Sequence, residues 1–176
     1  MKKKTSKKRS PGAAVCNALG IFLLIAVIAV CVPLTVPKMF GYHIYTVISG
    51  SMEPAIPIGS LVYIKEMSPE DIAEDDVIAF YGAKDEFSII THRVLENQVL
   101  MGEFITKGDA NETKDMNPVP YANFIGKVNL SIPMVGGIAE FLASFAGKIT
   151  AAAIVALSLI LQGAASFLGR RKEEKE

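Results

Sequence analysis

Two long stretches without a charged side chain set the frame for everything between them. Residues 10–37 and 149–169 contain no Asp, Glu, Lys or Arg, and each reaches the roughly 20 residues that a helix needs to cross a hydrocarbon core. Together they account for much of the 51% apolar content of a 176-residue chain. The interval between them is long enough for one compact domain. A first helix is expected over 13–36, ending near Pro33 and Pro37, because proline lacks the N–H that a continuing helix needs. A second is expected over 148–169. The first could instead be a cleaved signal peptide, but its apolar run is longer than the roughly 7–15 residues typical of one. The second could be a buried core helix; Arg170, Arg171 and Lys172 directly after it read instead as a stop.

A net charge of zero hides strong segregation. Lys2, Lys3, Lys4, Lys7, Lys8 and Arg9 precede the first apolar stretch, and the Arg-Arg-Lys cluster follows the second. Basic residues accumulate on the cytoplasmic side of membrane spans, and the basic tail would also meet anionic lipid. The expected layout is a basic cytoplasmic tail (1–12), a span (13–36), an extracytoplasmic domain (37–147), a second span (148–169) and a cytoplasmic tail (170–176). That is a two-span cell-membrane protein with both termini inside. Between Lys38 and Lys148 there are 15 acidic and 8 basic residues, so no basic surface points to nucleic acid. Cys16 and Cys31 both fall in the first apolar stretch, leaving packing rather than disulfides to hold the central domain.

The central segment changes period. Short runs rich in Val, Ile, Phe and Tyr occur at 61–64, 77–81, 88–95, 99–106 and 124–130, separated by turn-forming residues. They predict antiparallel sheet rather than βαβ units. Ser68-Pro69-Glu70-Asp71 reads as the start of a short helical turn, Asn97-Gln98 as a hairpin turn, and the aromatic run 40–45 as a membrane-interface segment. Residues 131–147 read either as a segment lying on the membrane or as the lead-in to the second span.

Within this β-rich domain lie the parts of a hydrolase. Ser51 sits in Ser-Gly-Ser-Met-Glu-Pro shortly after the first apolar stretch. A serine hydroxyl needs a base to take its proton, and the chain has two histidines. His43 falls in the aromatic segment and reads as interfacial. His92 falls inside a β-like run, where a strand would fix it, and imidazole suits general-base work near neutral pH. Such a base needs a carboxylate to hold its tautomer, and Asp109 and Asp115 are the candidates. Lys65 and Lys107 are the alternative bases. Arg93 reads as a solvated or salt-bridged strand residue. No metal is expected, since the domain has no His or Cys pair at ligand spacing. Asp109, Asn111 and Asp115 lack the rest of a calcium-loop pattern.

Ser-Gly-Ser-Met-Glu-Pro, then Thr-His-Arg-Val, then Lys-Gly-Asp-Ala-Asn with a second Asp six residues on, resembles the type I signal peptidases. The likeness is strongest to the endoplasmic-reticulum-type branch, also found in archaea and some Gram-positive bacteria, in which histidine replaces the lysine base. It covers residues 45–126. The resemblance implies a mainly β, antiparallel catalytic domain flanked by two transmembrane helices, and a serine endopeptidase that removes signal peptides from exported preproteins without a cofactor. It also implies Ser51 as nucleophile, His92 as base, Asp115 as the orienting carboxylate, Asp109 as a further acidic site residue and Ser49 as an oxyanion donor. The implied partners are preproteins with small residues before the cut, membrane lipid and the secretion translocase. A peptidase restricted to a dedicated substrate set is a narrower reading. A non-catalytic two-span accessory or scaffold protein that keeps the fold is the reading outside enzymology.

Overall fold

In the computed structural model, residues 11–82 and 85–173 are described. The expected basic tail at 1–9 lies outside them, as do the side chains of Arg170, Arg171 and Lys172. The chain divides into two units, one comprising the two terminal segments and the other running from Leu34 to Phe141.

In the terminal unit, helix α1 (Pro11–Thr35) is uniformly apolar and continues as a 3₁₀ turn over Val36–Phe40. α1 ends at Thr35, between Pro33 and Pro37 and one residue short of the expected 36. Pro33 lies inside the last turns of the helix, where a missing donor disturbs little that follows. Gly41, left-handed at φ 73°, ends the segment and donates its N–H to the Pro37 carbonyl. Helix α3 (Phe145–Glu173) begins before the expected 148. Pro11–Phe40 and Phe145–Gly169 are long and apolar enough to cross a membrane. The two helices meet at small residues. A Cβ on Gly20 would stand 2.9 Å from the Ser158 carbonyl oxygen, and the buried Ser158 hydroxyl donates to the Gly20 carbonyl at 2.8 Å. Such close approach through small side chains is how helices associate in lipid, where burial of apolar area gives no driving force.

The Leu34–Phe141 unit is a seven-stranded antiparallel sheet in the order β1-β2-β7-β3-β4-β5-β6. The strands are β1 (Tyr42–Thr46), β2 (Leu61–Lys65), β3 (Val77–Gly82), β4 (Asp85–Gln98), β5 (Glu103–Lys107), β6 (Val119–Pro120) and β7 (Phe124–Ile132). The Ser68–Asp71 turn forms as a 3₁₀ turn over Pro69–Asp71. Of the aromatic run 40–45, expected at the membrane interface, residues 42–45 lie in the edge strand β1, which pairs with β2. Aromatic side chains suit a pleated surface as well as a membrane boundary.

Both faces of the sheet are covered in part. On one, Ile78, Phe80, Val94, Phe104 and Val119 pack with Ile72. On the other, Met52, Ile56, Val62, Ile64 and Ala79 pack together. Strict alternation along β3 sends Ile78 and Phe80 one way and Ala79 the other. Each large side chain so buried contributes about 1.5–3 kcal/mol.

The β4–β5 hairpin does not turn at Asn97-Gln98. Both residues are in β4, paired with Phe104 and Glu103, and the turn is 99–102. Gly102 supplies the φ of 71° that the turn requires. Asn97 is instead a strut: its amide donates to the carbonyls of Pro69 and Ile72, and its Oδ1 accepts from Tyr121. The register shifts by one residue between Val94 and Glu96, a β-bulge at Leu95.

Residues 131–147 are neither wholly loop nor wholly lead-in. They hold the end of β7, a short helix α2 (Gly136–Ala143) and the start of α3. Gly136 abuts Thr46 and Gly59 so closely that a Cβ would not fit, and its N–H donates to the Gly59 carbonyl at 2.9 Å.

Candidate active site

Three chain segments converge at the end of β5. β4 pairs with β3 along most of its length, but β5 reaches only Arg93 on its other side. Beyond Lys107 the chain leaves the ladder as a turn, closed by Asn111 N–H on the Gly108 carbonyl at 3.0 Å. The Ala110 N–H donates to the Ser51 carbonyl at 2.9 Å, joining this turn to the one that carries Ser51. That second turn is itself closed by Glu53 N–H on Gly50 O and Ile56 N–H on Met52 O. Gly108 is the point of closest approach. A Cβ there would meet the Ser51 carbonyl oxygen at 2.6 Å and His92 Nε2 at 3.0 Å, so only glycine lets the Ser51 turn and the imidazole come together.

His92 is buried and lies on the core face of β4, its ring edge-on to Phe80 with centroids 6.1 Å apart. Its Nδ1 is 2.6 Å from Asp115 Oδ2. The same oxygen accepts from the buried Thr106 hydroxyl at 2.6 Å, and Asp115 N–H donates to the Thr106 carbonyl. A carboxylate can only accept, so Nδ1 carries the proton and Nε2 is left as an acceptor on the Gly108–Ser51 side. Alternation explains the set: Val94 pairs with Thr106, which puts Thr106 on the face that His92 shares.

The next residue faces the other way. Arg93 grips Asp109 as a fork, Nε to Oδ1 at 2.8 Å and Nη2 to Oδ2 at 2.6 Å, while Nη1 donates to the Asp75 carbonyl at 2.7 Å. The Asp109 hydrogen bonds hold Arg93 still more firmly in its charged form, against the opposing effect of partial burial. Asp109 therefore pairs with Arg93, not with the imidazole.

Ser51 lines a cavity of about 330 Å³ together with Val47, Ile48, Ser49, Met52, Ile89 and Thr91. Burial raises the Tyr45 hydroxyl above its ordinary range at the same cavity, with the Tyr81 charge acting in the same direction. Among the described residues no hydrogen bond links Ser51 Oγ to His92, and Ser49 is exposed at the cavity mouth. Lys65, the first alternative base, points elsewhere, its ammonium on the Phe40 carbonyl and over the Tyr42 ring. His43 bonds Glu66 at 2.5 Å on the β1–β2 edge. No cluster able to hold a metal occurs among the described residues.

Thr106, Gly108 and the Arg93–Asp109 fork carry no separate signal in the sequence. Register alone brings them in, although Arg93 directly after His92 in a strand already implies opposite faces.

No family model matches the chain. It is 38% identical over 112 residues to Signal peptidase I W of Bacillus subtilis (strain 168), a match covering 58% of this chain and 57% of that protein. It is 31% identical over 129 residues to Signal peptidase complex catalytic subunit SEC11 of Colletotrichum graminicola, covering 68% of this chain and 75% of the relative. It is 30% identical over 103 residues to Signal peptidase complex catalytic subunit SEC11C of Homo sapiens, covering 53% of each. The chain thus spans only a little over half the length of the Bacillus and human relatives.

Proposed function

The chain belongs to the type I signal peptidase family, and from that premise we propose that it is a membrane-bound serine endopeptidase removing signal peptides from exported preproteins. The observation that carries this reading is the His92–Asp115 pair, its imidazole buried and its Nε2 directed at the Gly108 position shared with the Ser51 turn. In this mechanism Ser51 Oγ attacks the scissile carbonyl as Nε2 takes its proton, and Asp115 holds the tautomer and steadies the imidazolium. The Ser51 N–H and the Ser49 hydroxyl donate to the oxyanion; one such donor is worth about 3–4 kcal/mol in a serine hydrolase. His92 then protonates the leaving amine, and water, deprotonated by the same ring, hydrolyses the acyl-enzyme. The Ser51–His92 hydrogen bond forms as substrate fills the cavity, since catalytic bonds commonly tighten only in the complex. Asp109 works at one remove, clamping the turn through Arg93.

Substrate enters as an added strand. Residues 88–91 of β4 have no partner strand beyond the end of β5 among the described residues, and the extended segment 47–49 runs to Ser51 beside the same cavity. A preprotein laid between these edges would exchange main-chain hydrogen bonds with them and present small side chains to the cavity before the cut. The two apolar helices anchor the chain, with the sheet outside and both basic ends in the cytoplasm. The cut site of a membrane-held preprotein then emerges at the height of Ser51.

The test is cleavage of a preprotein by the detergent-solubilised chain. Parent protein should cut, and Ser51→Ala and His92→Ala should each abolish cutting while still inserting in membranes. Cutting at the parent rate by His92→Ala would reject the proposed base, and no cutting by the parent would favour a non-catalytic scaffold. Only unprotonated imidazole accepts the serine proton, so the rate should fall as the pH is lowered. A rate that does not fall at any acid pH where the fold persists would also reject it.

A further inference from the structure

α2 divides sharply into two faces. Gly136 and Ala139 are buried, the first against Thr46 and Gly59 and the second in a cluster with Leu61 and Tyr63. The opposite face is exposed and apolar: Ile138 is 55% and Phe141 50% accessible, and Met134 just before the helix is 85% accessible. Ile138 and Phe141 are i, i+3 neighbours on one side of the helix, and Met134, in the turn before it, adds a third exposed apolar side chain. Met134 is also held at a φ of 62°, a left-handed conformation that costs a non-glycine residue roughly 1 kcal/mol or more. Large apolar side chains exposed together beside one helix face mark an interaction surface. Along the chain, only Ser144 separates α2 from the apolar helix α3. At the other entry to the sheet unit Met39 (83%) and Phe40 (66%) are exposed in the same way, within the first apolar segment.

We propose that α2 is an in-plane membrane helix, with Met134, Ile138 and Phe141 seated among the acyl chains at the bilayer surface. This rests on the membrane-anchored reading above. Acyl chains are the occupant because this apolar face is continuous in sequence with a segment built to enter them. The buried face of α2 grips Gly59 and Thr46, and the Gly59 N–H in turn bonds the Val47 carbonyl at 2.8 Å in the segment leading to Ser51. Lipid contact on one side of α2 thereby sets the height of the Ser51 turn on the other.

The experiment uses the full chain carrying Cys16→Ala and Cys31→Ala. Single cysteines replace Ile138, Glu140 or Ile160, each labelled with an environment-sensitive fluorophore, in phosphatidylcholine–phosphatidylglycerol vesicles doped with shallow spin-labelled lipid. Quenching at 138 and 160 but not at 140 supports the proposal. Quenching at 160 alone overturns it while leaving anchoring intact, and equal quenching at 138 and 140 overturns the one-sided contact. No quenching at 160 removes the anchoring itself, and the proposal with it. In activity, Ile138→Lys with Phe141→Lys should slow cutting of a membrane-embedded preprotein several-fold while a soluble cleavage-site peptide is cut at the parent rate. Equal loss on both substrates would mean damage to the fold and would count against a role in lipid contact.

Discussion

His92 and Arg93 are neighbours on one strand, and each captures an aspartate from the same loop, yet the two pairs are built for opposite purposes. The histidine pair is turned into the core, with side-chain exposures of 10% and 23%, and its imidazole can both accept and donate a proton. The arginine pair lies on the opposite face of the strand, partly buried at 30% and 18%, and its guanidinium never gives up its proton. On the proposed mechanism, one pair moves charge during the reaction and the other holds position. A strand's twofold alternation is enough to produce the division, since it aims successive side chains at different surroundings. Spacing in the sequence makes Asp109 and Asp115 look equivalent, and the sheet separates them.

That contrast can be tested in order of severity. Asp115→Asn should be the harshest of the loop changes, because an amide favours the wrong imidazole tautomer. In a serine protease the same change lowers kcat about 10⁴-fold, and a comparable loss is expected here with little change in KM. If Asp115→Asn retained most activity, the assignment of the orienting carboxylate would be wrong. Gly108→Ala comes next. A methyl group would push the ring and the Ser51 turn apart, and misplacement by about 1 Å can cost roughly 10²-fold in rate, while circular dichroism should report an intact sheet. Asp109→Asn should weaken the fork and cost activity less than Asp115→Asn. Arg93→Lys should resemble it, since lysine cannot reproduce a two-point grip. If Asp109→Asn proved as damaging as Asp115→Asn, the clamp would have to be doing more than holding position. Thr106→Val is the mildest. It removes one of the donors to Asp115, with an expected stability loss of about 1 kcal/mol in a denaturant titration and a small fall in kcat.

Part of the site was legible in the sequence. Ser51 and His92 are chemically distinctive as a nucleophile and a base, whereas chemistry left Asp109 and Asp115 as equal candidates and only the family resemblance favoured Asp115. The strands at 61–64, 77–81 and 124–130 were legible because their Val and Ile content exceeds anything a loop would carry. The helix α2 was not. Gly136 and Gly137 are poor helix formers, and what recommends glycine at 136 is the proximity of Thr46 and Gly59, residues far away in sequence. The hairpin turn was misjudged because Asn97 is a good turn residue locally, whereas its amide is used across the core by Pro69, Ile72 and Tyr121. Local chemistry was readable; long-range pairing was not.

The bulge at Leu95 reaches further than its single residue suggests. It makes β4 two strands spliced out of phase, with His92 and Val94 inward before the splice and Asn97, opposite Phe104, inward after it. Had the ladder run on unbroken, the carboxylate of Glu96 would have been driven into the aromatic interior and Asn97 cast out into water. Deleting residue 95 would close the splice into a regular ladder that keeps Glu96 outward opposite Ile105 and Asn97 inward opposite Phe104, so the deletion should cost less than its place inside a strand suggests. The hairpin tip and the imidazole can each be altered without retuning the other, because the splice between them absorbs the mismatch.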